Sequence, residues 1–204
     1  MKSLHLVVLL LISLCTASFG QLGTPKSEVP PATPESVALS EAQKSFDQLK
    51  TLAGNWTGTA AMGQGSETNS APVRVSLRVT SGGAALMHEM VPEGRPNDPT
   101  NGDDDPLTML YVDGDRLLLT HYCDSGKNRP RMVGKLSPDG KTVEFDFLDV
   151  SGGTKDGYMQ HAVFTLIDSS HHTEDWTYMM PGKKASHAHI DLHRSGVSGL
   201  SAPR

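Results

Sequence analysis

The sequence predicts an all-β protein: an up-and-down antiparallel β-barrel of about ten strands, opened by one short helix. Three observations carry this. Helical periodicity appears once, over 41–52, and is not sustained afterwards. The rest is a series of short runs separated by explicit turn chemistry at Ser81-Gly82-Gly83, Asp113-Gly114, Asp139-Gly140 and Pro181-Gly182. Such a series is best closed on itself, because closure removes exposed strand edges; a two-sheet sandwich is the alternative.

The chain has 204 residues and a formal net charge of −5. Its first stretch is set apart from the core. Lys2, an apolar run from Leu4 to Leu14, and small residues Ser18 and Gly20 before Gln21 read as a secretory signal peptide over 1–20. A lipoprotein signal on Cys15 is the weaker reading, since Leu14 stands where a small residue is wanted. The expected location is periplasmic or extracellular. No later run is apolar enough for a transmembrane anchor. With the leader removed only Cys123 remains, so no intramolecular disulfide is expected. No basic run follows the leader, which argues against nucleic acid as a partner.

Residues 21–40 hold Pro25, Pro30, Pro31 and Pro34 and read as a disordered linker. Ser40 caps the helix, and Phe46, Leu49 and Leu52 recur at helical spacing. Strands follow near 54–62, 72–80, 84–91, 107–112, 116–123, 130–137, 141–149, 158–167, 171–180 and 184–193, with a flexible tail over 195–204. The segment 92–106 is a long acidic loop; Asp103, Asp104 and Asp105 lack calcium-loop spacing and read as solvated. One hairpin tests itself. A two-residue Asp139-Gly140 turn sets Leu136 against Val143, Gly134 against Phe145, Met132 against Phe147 and Lys135 against Glu144. A slip by one residue destroys that pattern.

Two constellations are candidates for chemistry. In the first, turns near 168–171 and 181–182 set His161 against Tyr178, Trp176 against His187 and Glu174 against His189. One face then carries His161, His172, Glu174, Trp176, Tyr178, His187, His189 and Asp191, and the other Ala162, Phe164, Leu166, Ala188, Ile190 and Leu192. Trp176 and Tyr178 are candidate ligand contacts. His161, His187 and His189 are candidate metal ligands, since histidines at i and i+2 of a strand point the same way. The plainer reading of that face is solvent. The second constellation is His121, Tyr122 and Cys123 with Asn128 and Arg131. His121 and Cys123 share a face, and His121, Tyr122 and Arg131 are candidate ligand contacts. No catalytic set is assigned: G-x-S-x-G, a phosphate loop, a dinucleotide fingerprint and a Cys-rich zinc pattern are all missing.

The helix followed by Gly54-Asn55-Trp56-Thr57-Gly58 resembles the lipocalin-like, or calycin, superfamily, in which the tryptophan closes one end of the barrel. Asp113–Cys123 with Asn128–Met132, and His171–Thr177 with Ile190–Arg194, resemble a group of uncharacterised exported bacterial proteins with this fold. The likeness covers roughly 41–194. More distantly the chain resembles the nitrobindin family, ten-stranded barrels that hold haem through a histidine near the C-terminal strand. That resemblance implies haem as a cofactor, with His187 and His189 in the matching region. The chain departs from it at Gly58-Thr59-Ala60-Ala61-Met62, which is not the glycine-rich continuation of that family. The expected function is to bind a small, partly apolar ligand inside the barrel. The rivals are a haem- or metal-dependent redox barrel, and an envelope scaffold that uses the 92–106 loop. Enzymatic activity is left open.

Overall fold

The computed structural model describes residues 39–64, 67–95, 105–122 and 126–196. The expected signal peptide, nearly all of the linker, Asp103, Asp104, Cys123 and the end of the tail lie outside them. The helix is α1 (Glu41–Lys50), capped by Ser40, whose Oγ accepts from the Gln43 N–H at 3.1 Å. Its buried face is Ala42, Phe46 and Leu49, which join the hydrophobic core.

Ten strands follow: β1 (Gly54–Gln64), β2 (Glu67–Thr80), β3 (Ala85–Pro92), β4 (Leu107–Asp113), β5 (Arg116–Tyr122), β6 (Arg129–Leu136), β7 (Thr142–Ser151), β8 (Tyr158–Asp168), β9 (His171–Met179) and β10 (Ser186–Arg194). Each pairs antiparallel with its sequence neighbours, and β1 pairs with β10 to close the barrel. Among the described residues no helix is long and apolar enough to cross a membrane.

The Asp139-Gly140 hairpin has the expected register, including Lys135 opposite Glu144, and Phe145 is fully buried. Gly134 is required there, because a Cβ would meet the Phe145 ring and Leu117 at 2.5 and 2.7 Å.

The two ends of the barrel differ. At the end where β1 begins, Trp56 is buried and its Nε1 donates to the Leu52 carbonyl at 2.8 Å. The Arg194 guanidinium lies 4.1 Å from the Trp56 ring and donates to the carbonyls of Ala53 and Thr51. The last residues of β10 are thereby tied to the chain leaving α1, and this end is packed shut. The opposite end, where β1, β3, β5 and β9 finish, is less filled, and the candidate site lies there.

The three C-terminal strands correct the sequence reading. At the turn, Asp168 faces His171 as the turn chemistry requires, but Ile167 is then skipped and Leu166 faces His172. His161 therefore lies opposite Thr177, not Tyr178. The connection after β9 runs from Met180 to Ala185 and is wider than a two-residue turn. Ala188 thus faces Trp176, and Ile190 faces Glu174. Each shift is one residue, and together they turn β9 over relative to both neighbours. His172, Glu174 and Trp176 are buried with Ala162, Phe164, Ile190 and Leu192, whereas His187 and His189 are exposed on the other face.

Candidate functional site

Glu174 sits in the middle of the barrel with no exposed surface. An isolated buried carboxylate would be costly, so its oxygens must be paired. His88, on the inner face of β3, places Nε2 at 3.0 and 3.1 Å from the two oxygens. His172 Nε2 lies 3.2 Å away, and Trp176 Nε1 donates at 3.0 Å. All three neighbours thus point ring nitrogens at one carboxyl group, which as an ionised group is a pure acceptor. Burial pushes the Glu174 carboxyl up. Charge on His88 and hydrogen bonds from His172 and His88 outweigh burial and hold it below the usual carboxylate range.

The carboxylate fixes the imidazoles in turn. A histidine nitrogen that faces a carboxylate carries the proton, and the other nitrogen is left to act. In both His88 and His172 that other nitrogen, Nδ1, is buried without a hydrogen-bond partner. They differ in surroundings. The His172 ring stands edge-on to Trp56 at 4.2 Å, on the closed side. His88 lines a cavity of about 250 Å3 on the other side.

That cavity is mostly apolar. Met62, Met90, Met159 and Ile190 form much of its wall, and Pro106 and Ala188 lie near its mouth. The Trp176 ring lies between two histidine rings, 5.9 Å from His88 and 5.4 Å from His121. His121 is buried, with Nδ1 2.9 Å from Thr108 Oγ1. Among the lining residues there is no Lys, Arg, Asp or Glu, so Glu174 sits behind His88 and Trp176 and not on the surface of the cavity. The segments around the mouth are pinned by polar contacts. Arg95 pairs with Asp105 at the two ends of the long acidic loop. Asn128 Nδ2 donates to the carbonyls of Gly153 and Gly157, and the Tyr178 hydroxyl donates to the Asp156 carbonyl at 2.6 Å.

Among the residues singled out as ligand contacts, His121, Trp176 and Tyr178 are brought together around this cavity. Tyr122 is not: it alternates with the inward His121 and is exposed on the outer face. Arg131 is not either. It forms a bidentate pair with Asp149 outside the barrel at 2.8 and 2.5 Å, which raises the pKa of Arg131 and lowers that of Asp149.

The three candidate metal ligands are dispersed. His161 pairs with Glu144 and Asp146, His189 with Asp175, and His187 lies at the rim with Nδ1 3.2 Å from Thr177 Oγ1. These residues do not fit haem: His189 is exposed outside the barrel, His187 only borders the cavity at its rim, and the cavity is smaller than a porphyrin.

The sequence reading missed His88 and Thr108. His88 alternates with Leu86 and Met90 on β3, a visible pattern of one polar residue on an apolar face. Nothing in that pattern ties His88 to Glu174, 86 positions away.

Neither a protein-family model nor a curated protein sequence matches the chain. Among solved structures it is similar to a DUF3598-family protein of unknown function from Nostoc punctiforme PCC 73102, with a TM-score of 0.50 and 13% identity. That match covers 72% of this chain and 48% of the other, so the chain spans about half the length of that protein. A DUF1329-family protein from Desulfovibrio piger ATCC 29098 matches over 79% of this chain and 95% of its own, with 8% identity and a TM-score of 0.26. What the first of these supports is a likeness of fold, a barrel shared with a protein whose own function is unknown.

Proposed function

We propose that the protein is an exported, lipocalin-like barrel that binds a small, partly apolar molecule in the cavity between His88, His121 and Trp176. The observation that carries this reading is the contrast between the two ends. One is sealed by α1, Trp56 and Arg194, and the other keeps about 250 Å3 lined by methionines and rings around a few polar groups. A mostly apolar cavity with a few placed polar groups is the usual form of a small-molecule site. Its volume is below the roughly 300–1,000 Å3 of pockets for drug-sized ligands, so the ligand is smaller than those. Three flexible thioethers let the wall adapt to its shape. Export rests on the leader over 1–20, and the location that follows is periplasmic or extracellular.

The experiment is calorimetric titration of the purified protein with toluene as an apolar probe, alongside Ala188→Trp. Ala188 lines the cavity and faces both Met62 and Trp176. An indole at that position should fill the space and abolish toluene binding while the β-sheet circular dichroism persists. Toluene that binds the variant as well as the parent would place it elsewhere and remove the assignment. Fractionation of cells that express the full chain tests export: mature protein should begin at Gln21 and leave the cytoplasm.

A further inference from the structure

We infer that the outer face of the barrel carries a metal site, built by His171, Asp191 and His193, that takes a divalent transition-metal ion of the zinc and copper kind. The site is separate from the cavity, which none of the three lines. It lies at the end of the barrel that Trp56 closes, where β9 begins and β10 finishes.

Strand alternation puts the three side chains together. His172 and Leu192 are fully buried, so their neighbours His171, Asp191 and His193 face outward. The register of β9 on β10 sets His193 directly opposite His171, with Asp191 two residues along on the same face. The two imidazoles stack, their centroids 4.2 Å apart and their planes 23° from parallel. Both send Nε2 to one oxygen: Asp191 Oδ1 lies 2.8 Å from His171 and 3.5 Å from His193. All three donor atoms fall within 4.8 Å of one another. Around a tetrahedral zinc ion with bonds of about 2.0–2.2 Å, two ligand atoms stand about 3.4 Å apart. An ion can therefore enter between these atoms with little movement, taking the place of the proton between His171 and Asp191.

The backbone that carries the ligands is held in place. The Arg194 N–H donates to the Ser170 carbonyl at 2.8 Å and its Nε to the Ser169 carbonyl at 2.9 Å, which ties the end of β10 to the turn before His171. Asp168, opposite His171 at that turn, adds a negative charge beside the site. The donor set selects the ion. Two imidazoles with one carboxylate suit zinc, copper or nickel, whereas calcium and magnesium take oxygen ligands. Three protein ligands leave a fourth position to water. The barrel has a second group of this kind, Glu144, Asp146 and His161, and the comparison is instructive. It has one imidazole, and Lys135 Nζ already stands 3.3 and 3.4 Å from its two carboxylates. Among the described residues Asp191 has no Lys or Arg partner, only the two imidazoles.

The test is calorimetric titration of the purified, untagged protein with Zn2+ after dialysis against a chelator. One ion should bind per chain. His193→Ala and Asp191→Asn should each weaken binding at least about tenfold, since even an outer partner of a metal ligand is worth about 10–100-fold. His161→Ala should bind as the parent does. His193 and Asp191 are 64% and 49% exposed, so these variants should keep the fold. Should one fail to, the parent with Cu2+ still decides: its electron paramagnetic resonance spectrum should show coupling to two imidazole nitrogens. Coupling to a single nitrogen would overturn the site, as would a parent Kd for Zn2+ weaker than about 1 mM. Binding lost in His161→Ala and kept in His193→Ala would place the ion at the other group and overturn it too. None of these outcomes touches toluene binding in the cavity.

Discussion

Replacing Glu174 by glutamine would put an amide among three ring nitrogens, those of His88, His172 and Trp176, that now meet a carboxylate. The carbonyl oxygen could accept from part of that set, but the amide nitrogen would face donors. Breaking a fully buried charged network typically costs about 3–5 kcal/mol, and Glu174→Gln is expected to cost that much in urea denaturation. A loss below about 1 kcal/mol would mean that the network is a passenger in the core. His88, His121 and Trp176 show what a residue-scale reading of sequence can and cannot reach. His121 and Trp176 are legible as candidates because strand alternation sets each on one face with other polar or aromatic groups, His121 with Cys123 and Trp176 with Tyr178. His88 was not, because its meaning depends on Glu174 lying opposite it across the barrel.

At the scale of elements, the barrel was legible almost strand by strand, because each turn carries its own chemistry and each strand its own alternation. The Asp139-Gly140 hairpin came out in full register, since one face had to be apolar and the other had to pair Lys135 with Glu144. The strands of the His-rich end are legible, but not their register: the sequence pattern sets His172, Glu174 and Trp176 on the face of His161, His187 and His189 and leaves open which face is inner, whereas the structure sets them on the opposite, inner face. Skipping Ile167 costs one residue of register and leaves almost no mark in composition, yet it decides whether Glu174 is solvated or buried. Gly58 makes a sharper prediction. Its Cα lies so close to β10 that a Cβ would overlap the Asp191 carbonyl oxygen, which belongs to backbone and cannot swing aside. Gly58→Ala should therefore strain the β1–β10 seam and cost about 3 kcal/mol or more, a value outside the range of an ordinary glycine-to-alanine change in a strand. Thermal unfolding checks it; a midpoint within a degree or two of the parent would show that the seam can part without loss.

At the scale of the whole molecule, acid should act on stability in one direction. Asp47, Asp139, Asp149 and Asp168 are each held below the ordinary carboxylate value, by hydrogen bonds first from Lys50, Ser137, Arg131 and the Ser170 backbone respectively. Glu174 is held below it as well, by its imidazole neighbours against the effect of burial. A carboxylate whose folded value is depressed binds protons more readily when the chain unfolds. Its contribution is complete above the unfolded value, near 3.8 for Asp and 4.5 for Glu, and is lost as pH falls through the folded value. The four aspartates are solvated and screened, so they contribute little. Glu174 has no such screening, and its protonation would leave a carboxylic acid among donors. The urea midpoint should therefore fall steadily as pH drops from 4.5 toward about 2.5, and in Asp149→Asn it should fall in parallel with the parent. In Glu174→Gln, whose side chain has no proton to take up, the decline should be shallower over the same range. A parent midpoint that stays level there would mean that Glu174 is not held as a carboxylate by His88, His172 and Trp176.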